Sequence, residues 1–330
     1  MAAILGGGLG GLSTGYYLLK NNVCNNNNVK LFLLEATNQC GGWVKTIRTK
    51  DYLFEQGPRT IRPKGNLTEE LELTELAKSA KEEKWSVYTI KGGLETFPLT
   101  LKNYLTDNNV AMHFNTSVKE IEFIDSSVVN LKKDNGEVLT ANHIYSTVPA
   151  HVLARLVEKQ HPKLSTYLNE IPFVTVGIVN LYFDTDKSLI TPAFGFLVPP
   201  IENRSILGVV FDSCCIPDQK GTVLTVMLGG RWFHEKFGEN PAESKLLEVA
   251  LREIKAILKI DEKPTAYNVS ILKRCIPQYV VGHYDRVDSI REYIENNNLP
   301  ISLVGSSYDG VGVNDVIFSA KTQVGEVCTT

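Results

Sequence analysis

The first apolar run, residues 2–5 (AAIL), is short and unbroken and gives way at once to glycines. That is the pattern of a strand buried on both faces. Over residues 9–20 the apolar period changes. Leu12, Tyr16 and Leu19 fall three or four apart, which predicts a helix. An asparagine-rich turn at 21–28 leads to a second strand at 29–35. Strand, helix, strand is the opening unit of a doubly wound sheet. A helix is predicted at 92–104, with Pro98 near its start. Strands follow at 110–114, 118–123, 128–133 and 138–148, with Asn135-Gly136 as a hairpin signal between the last two. Residues 150–157 read as helix.

The second half is richer in strands, at 174–183, 193–198, 206–211, 223–228 and 269–274. The cleanest amphipathic helix is 243–258, with apolar residues at 246, 247, 250, 251, 254, 257 and 258. The chain then returns to its opening style. A strand at 301–304 is followed by a glycine-bearing loop and a helix from about Asn314. Residues 67–84, rich in Glu, Leu, Lys and Ala, have helical propensity. No internal repeat is visible.

Composition narrows this picture. A chain of 330 residues exceeds the size at which one core usually stops growing, so two domains are expected. A net charge of −3, with no basic block or acidic tail, argues against nucleic acid as a partner. No apolar run has the length of a membrane span. The first strand begins almost at the N-terminus, so neither a secretory leader nor an Arg-rich presequence is expected; an internal organelle address is compatible with this. The sequons at Asn66, Asn115, Asn203 and Asn268 therefore carry no expectation of glycosylation. Six scattered cysteines form no C-x-x-C pair, and six histidines show no ligand spacing. Free thiols and no metal site are expected.

The chemistry begins at Gly6-Gly7-Gly8-Leu9-Gly10-Gly11, which contains G-x-G-x-x-G between a strand and a helix. Gly6 permits the tight turn, Gly8 lets a pyrophosphate approach the backbone, and Gly11 lets the helix pack on the sheet. The helix N-terminus adds free N–H groups and a positive dipole end. Glu35 ends the second strand, 24 residues after Gly11, where a ribose-binding acid is expected. A solvated strand end is the plainer alternative. Gly41-Gly42-Trp43 follows. An acid followed closely by a Gly-Gly pair is typical of FAD proteins of the amine-oxidase class rather than NAD dehydrogenases.

Longer segments then carry a resemblance. Phe54-Glu55-Gln56-Gly57-Pro58-Arg59-Thr60-Ile61-Arg62-Pro63, Trp85-Ser86 with Gly92-Gly93-Leu94-Glu95, Thr116-Ser117-Val118, and Ser146-Thr147-Val148-Pro149-Ala150 lie in order along the chain. Ile276-Pro277-Gln278-Tyr279 with Gly282-His283, and Gly305-Ser306-Ser307-Tyr308 with Gly310-Val311-Gly312-Val313-Asn314-Asp315, complete the set. Together these resemble the protoporphyrinogen oxidase family of flavoproteins nearly end to end. The resemblance implies non-covalent FAD, held by Gly6, Gly8, Leu9, Gly10, Gly11, Glu35, Ala36, Gly42, Trp43, Gly57, Pro58, Arg59, Thr60, Val118, Ser306, Val311, Gly312 and Val313. The last loop enters a helix, which would present N–H groups where a reduced flavin gains negative charge. His283 reads as a packed or surface histidine, and no residue is assigned as a catalytic acid or base.

The family's substrate is a flat tetrapyrrole beside the flavin, and the positions matching its lining are Phe194, Leu197 and Met227. An aromatic ring, a leucine and a flexible thioether suit such a face. Spacing alone reads the three as ordinary core. The implied reaction is oxidation of protoporphyrinogen IX to protoporphyrin IX with O2 as acceptor, giving H2O2. The implied location is peripheral, at the mitochondrial inner membrane, and the resemblance allows a homodimer. One departure stands out. Only 19 residues separate Gly65 from Trp85, where the family has a membrane-binding domain, so weakened membrane association and weakened catalysis are expected.

The expected fold is α/β, a discontinuous Rossmann-type FAD-binding domain (1–65, 85–160 and 295–330) with a β-rich α+β substrate domain (161–294). Residues 66–84 would form a helical join. Two rivals stay open: another flavin amine oxidase or desaturase, which the IPQY-type motif argues against, and an FAD-binding remnant with impaired catalysis.

Overall fold

The computed structural model describes residues 1–21, 30–62, 82–84, 87–185, 191–216 and 219–329. The expected turn at 21–28 beyond Asn21, the join at 66–84 apart from 82–84, and Trp85-Ser86 lie outside the described residues. Two five-stranded sheets organise the rest. The first takes strands β1 (Ala2–Leu5), β2 (Leu31–Leu34), β5 (Ala111–His113), β9 (His143–Ser146) and β15 (Ile301–Leu303), in the order β15-β9-β1-β2-β5. Every neighbouring pair in it is parallel. Its strands come from the start, the middle and the end of the chain, so the α/β unit is discontinuous.

Helix α1 (Leu9–Lys20) lies where the period change placed it and buries Leu12 and Leu18 against Ile4 and Leu33. Helix α9 (Val313–Thr329) packs beside it, through Ala320 and Val324 in the same cluster. Helix α2 (Thr96–Asp107) starts later than expected, at Thr96, because Gly92 and Gly93 adopt positive φ and hold a turn ahead of it.

The other large sheet is antiparallel, in the order β11-β12-β13-β10-β14. Its strands are β10 (Phe173–Phe183), β11 (Gly195–Leu197), β12 (Ile206–Val210), β13 (Thr222–Gly230) and β14 (Ala266–Pro277). One face is apolar. Val179, Leu181, Val209, Leu224, Val226 and Leu228 are buried against Leu246, Ala250 and Ile254 of helix α7 (Glu243–Leu258). Alternation along these strands therefore leaves a second face of different character.

Smaller elements link the two. Strands β3 (Thr46–Arg48) and β4 (Leu53–Glu55) form a hairpin, and β6 (Val118–Asp125), β7 (Val128–Lys133) and β8 (Val138–Ala141) an antiparallel ribbon. The expected single strand at 138–148 is divided. Asn142 breaks it, taking the Met1 carbonyl on its N–H and the Ser127 carbonyl on its side-chain amide. One half joins the ribbon and the other the parallel sheet. Helices α3 (Ala150–Val157), α4 (Pro162–Asn169) and α8 (His283–Asn296) cover the ribbon side, while α5 (Asp212–Cys215) and α6 (Phe233–Phe237) are short. Helix α8 was not legible in advance. Its buried residues are only His283, Val287 and Ile290, a thin stripe in a polar segment.

Candidate functional site

In an open parallel sheet, ligands sit outside the carboxyl ends of the strands. Here those ends carry the loops after β1 (6–8), β2 (35–36), β9 (147–149) and β15 (304–312). Gly6 has φ +103°, and a Cβ on Gly11 would lie 1.9 Å from the Gly6 carbonyl oxygen. Neither position accepts a side chain without moving backbone. Gly8 pairs with Gly41 in an isolated parallel bridge, and a Cβ on Gly42 would stand 3.2 Å from the Gly8 Cα. The two glycine pairs thus form one open cradle of backbone, as a dinucleotide requires. Leu9 and Gly10 open α1, and Gly10 lies against Val316 of α9 and Val304.

Glu35 closes the edge of this cradle. Its carboxylate accepts from the Gly7 N–H at 2.7 Å and from the Thr37 N–H and hydroxyl at 2.8 and 2.7 Å. Ala36 follows it, exposed at the same edge. The Thr116 N–H donates to the Glu35 carbonyl, which brings Val118, the first residue of β6, into the neighbourhood of this acid.

The other segments converge on the same edge. A Cβ on Gly57 would lie 1.8 Å from the Trp43 carbonyl oxygen, so Gly42-Trp43 and Gly57-Pro58 run in close contact. Val313 packs on Val44, Ile61 and Leu94. The Asn314 side chain donates to the Arg62 carbonyl at 2.6 Å, and the Leu94 N–H donates to Glu55 at 2.6 Å. Thr60 and Ile61 reach Tyr88 through the paired backbone of Ile61. Trp43, 42% exposed, directly follows Gly42, and Val311, 53% exposed, lies in the loop ahead of α9. Gly312 is fixed by donating to Asp315, and Ser306 by a contact through its carbonyl with Tyr279.

Arg59 is turned elsewhere. Its guanidinium pairs with Asp212 at 2.9 Å, and both side chains are buried. Any contact of Arg59 with a nucleotide is therefore left to its main chain. Asp212 also accepts from the Thr225 hydroxyl. The Asn180 amide donates to the Thr225 hydroxyl and to the Glu55 carbonyl, and Gln56 donates to Ser270. Burial pushes the Asp212 and Glu55 carboxyls upward from the usual carboxylate range, against the opposing pull of Arg59. This buried polar junction bolts the segment 54–59 onto the second face of the antiparallel sheet. Glu55, Gln56 and Arg59 had a signal in the sequence, within the segment already singled out. Asp212, Thr225 and Asn180 sit on three different elements and carry no local pattern.

That second face also holds two of the three proposed lining residues, Leu197 and Met227. Leu197, Gly208, Met227, Ile178 and Ser270 are cross-strand partners in one row, and Val210, Thr225, Asn180 and Asn268 form the next. Directly opposed residues share a face. Leu197 and Met227 thus share the face on which Gln56 and Glu55 dock. Leu197 is 76% exposed, and Phe194, one residue ahead of β11, is 49% exposed. Met227 is half-buried against Val176, Ile178 and Leu272. None of the three lies in the closed core under α7. His283 is packed, 2% exposed and stacked on Tyr279 with ring centroids 3.7 Å apart.

Cys40, Cys214, Cys215 and Cys275 are free thiols, and burial pushes Cys40, Cys215 and Cys275 up to about 11. Among the described residues no cluster of three or more metal-ligating side chains occurs, and no helix is long and apolar enough to cross a membrane.

Comparison with known proteins agrees with the geometry. Residues 74–328 match the flavin containing amine oxidoreductase family, and residues 4–71 match the NAD(P)-binding Rossmann-like domain. Protoporphyrinogen oxidase of Bos taurus is 34% identical over 261 residues, covering 77% of this chain and 54% of the relative. The Homo sapiens enzyme of that name is 34% identical over 254 residues, covering 74% and 52%. The chain spans about half the length of the curated relatives it matches. Among solved structures, a candidate protoporphyrinogen oxidase from Exiguobacterium sp. 255-15 superposes with a TM-score of 0.80 at 20% identity, covering 99% of this chain and 98% of that one. A reduced UDP-galactopyranose mutase superposes at 0.74 with 11% identity, covering 99% and 93%. At such identities these two speak for the fold.

Proposed function

The chain belongs to the flavin containing amine oxidoreductase family, and from that premise we propose that it holds FAD without a covalent bond and oxidises protoporphyrinogen IX to protoporphyrin IX. O2 is the final acceptor and H2O2 the second product. The observation that carries this reading is convergence. Gly6–Gly11, Gly42–Val44, Gly57–Arg62, Leu94 and the 310–314 loop are far apart in sequence, yet they meet along one edge of the parallel sheet.

The residues fit the cofactor chemically. The Gly6, Gly8 and Gly11 cradle leaves room for a pyrophosphate against backbone, and the α1 N-terminus favours its charge. Glu35, already accepting three hydrogen bonds at the end of β2, would take the ribose hydroxyls. The 310–314 loop leads into the N-terminus of α9, whose dipole would favour negative charge on a reduced ring. Bound FAD would supply two-electron acceptance, so the six-electron oxidation takes three cycles, each consuming one O2 and giving one H2O2. The chain's own part is to orient the macrocycle and keep water away, through Phe194, Leu197 and Met227. No residue is assigned as a catalytic acid or base.

The proposed domains are 1–65, 85–160 and 295–330 for FAD and 161–294 for the substrate. The proposed location is peripheral at the mitochondrial inner membrane. The short Gly65–Trp85 interval leaves the chain without the segment expected to wall the cavity and meet the membrane, so both binding to membranes and turnover should be weaker than in a longer relative.

That interval also favours a second reading, an FAD-holding chain without turnover. One experiment separates the two. The purified chain should be yellow, and anaerobic mixing with protoporphyrinogen IX should bleach the flavin in a single turnover. A yellow protein that does not bleach is the remnant, and a colourless one that takes up no FAD overturns the cofactor reading as well. Glu35→Ala should weaken FAD by about 1–3 kcal/mol, the usual range for hydrogen bonds to a charged group. Unchanged FAD affinity in that variant would remove the ribose assignment.

A further inference from the structure

Ile276-Pro277-Gln278-Tyr279 and Gly282-His283 leave β14 and enter α8, and the two rings stack on each other. Tyr279 donates from its hydroxyl to the Ser306 carbonyl at 2.7 Å, and that hydroxyl accepts from the Gly310 N–H, also at 2.7 Å. His283 meets the Tyr308 carbonyl through Nε2 at 2.9 Å. A carbonyl only accepts, so Nε2 carries the proton. Further along α8, Arg291 grips Asp309 with both carboxylate oxygens, at 2.7 and 2.8 Å.

These contacts come from one stretch of chain and land on four residues between Ser306 and Gly310. The loop they hold follows β15, at the carboxyl edge of the parallel sheet, and precedes Val311, Gly312 and Val313. The two rings stack nearly flat, with an interplanar angle of 11°, so each fixes the other. Tyr279 bridges both ends of the segment, at Ser306 and Gly310, as a single hydroxyl acting as donor and acceptor. Only the neutral phenol can do both, and burial pushes its ionisation well upward from the ordinary tyrosine value.

We propose that Tyr279 and His283 are positioning residues, a two-ring clamp that sets the 306–310 loop so that the following N–H groups meet the flavin, rather than residues that touch substrate. His283 has no surface to offer a substrate, since it is 2% exposed and lies beneath Tyr279. The clamp reading rests on the FAD assignment for its function, but its mechanical half does not.

The test uses the full chain and two variants, Tyr279→Phe, which keeps the stack and loses both hydrogen bonds, and Arg291→Gln, which removes the outer grip. Backbone amide exchange is followed without and with added FAD, and FAD affinity is read by fluorescence. In Tyr279→Phe, exchange at Gly310, whose acceptor is gone, and at its neighbours 306–309 should rise about tenfold without FAD. FAD affinity should fall about tenfold, as loss of two modest hydrogen bonds implies. Arg291→Gln should move both in the same direction by less. Exchange and affinity within twofold of the parent in Tyr279→Phe would overturn the clamp. So would faster exchange spread evenly over the whole chain, since a clamp acts locally. An unchanged affinity for FAD paired with a raised KM for protoporphyrinogen would overturn it too, by making Tyr279 a substrate contact. Should the parent itself take up no FAD, the exchange measurement still decides the clamp, while the proposed function falls separately.

Discussion

The two five-stranded sheets of this protein offer different surfaces to the proposed ligands. The parallel sheet offers its carboxyl edge, where backbone would do the binding. Its requirements are the absence of side chains at Gly6, Gly8, Gly11 and Gly42, and one acid, Glu35. The antiparallel sheet offers a face, the proposed substrate side, where side chains from β11, β13, β10 and β14 line up across strands. An edge site is written in short contiguous runs. A face site is written at every second residue of five separated strands, mixed with the opposite face that packs on α7. The difference explains why one half of the site can be read with ease and the other cannot. The buried Arg59–Asp212 pair, with Thr225, Asn180 and Glu55, is where the edge and the face are joined.

The sharpest way to break this comparison is to cut that joint. Asp212→Ala leaves the Arg59 guanidinium buried without its partner and should cost about 3–5 kcal/mol of stability in urea unfolding. A double variant, Arg59→Met with Asp212→Leu, should recover most of it, because apolar residues of similar volume can replace a buried pair at little cost. A single-variant loss under 1 kcal/mol would mean that the two sheets do not depend on the joint.

A pair of glycines sharpens the contrast next. A Cβ on Gly11 would meet the Gly6 oxygen at 1.9 Å, and one on Gly208 the Phe196 oxygen at 2.4 Å. Both are backbone clashes, one in the cradle and one in the row between Leu197 and Met227. Gly11→Ala should weaken FAD about a hundredfold, near the 3 kcal/mol upper end for overpacking. Gly208→Ala should cost about 1–3 kcal/mol of stability but leave FAD affinity within twofold. Equal effects of both on FAD would erase the distinction between edge and face.

The smallest effect concerns acid. Burial holds His143, on β9, and His151, on α3, down at about 4 from the ordinary 6.5. Between those values the unfolded chain binds more protons than the folded one. Their contribution is therefore complete above pH 6.5 and is lost as pH falls toward 4, on the order of 2 kcal/mol for His143. The raised carboxyls of Asp212 and Glu55 act with the opposite sign, favouring the fold as pH drops through their elevated values. His143→Gln should accordingly flatten the fall in unfolding midpoint between pH 6.5 and 4. A slope unchanged from the parent would show that His143 is not the group responsible.

Some of this was fully legible in advance. The bounds of β1 and α1 follow from hydrophobic period alone, since an apolar run of four and a change to helical spacing are local facts. The glycine cradle and Glu35 are equally local, because a φ near +100° or a missing Cβ is a property of one residue type at one position. The hairpin at Asn135-Gly136 formed as its dipeptide predicts, with Gly136 at φ +87°. The division of residues 138–148 was not legible. Both halves have strand character, and only the capture of Asn142 by Met1 and Ser127 assigns them to different sheets. Likewise His283 could be read as packed, but not as one half of a clamp, because its partners at 306–310 lie more than twenty residues away.

The amino-acid sequence by itself therefore determined a side-chain-free backbone cradle closed by an acid, because steric permission at glycine and charge at a strand end are decided residue by residue. Tertiary structure alone decided which side of the antiparallel sheet faces the cradle, that Arg59 turns to Asp212, and that Tyr279 and His283 grip the last loop. Each of these depends on register and burial, and a buried charge or hydroxyl finds its partner only when distant strands are packed together.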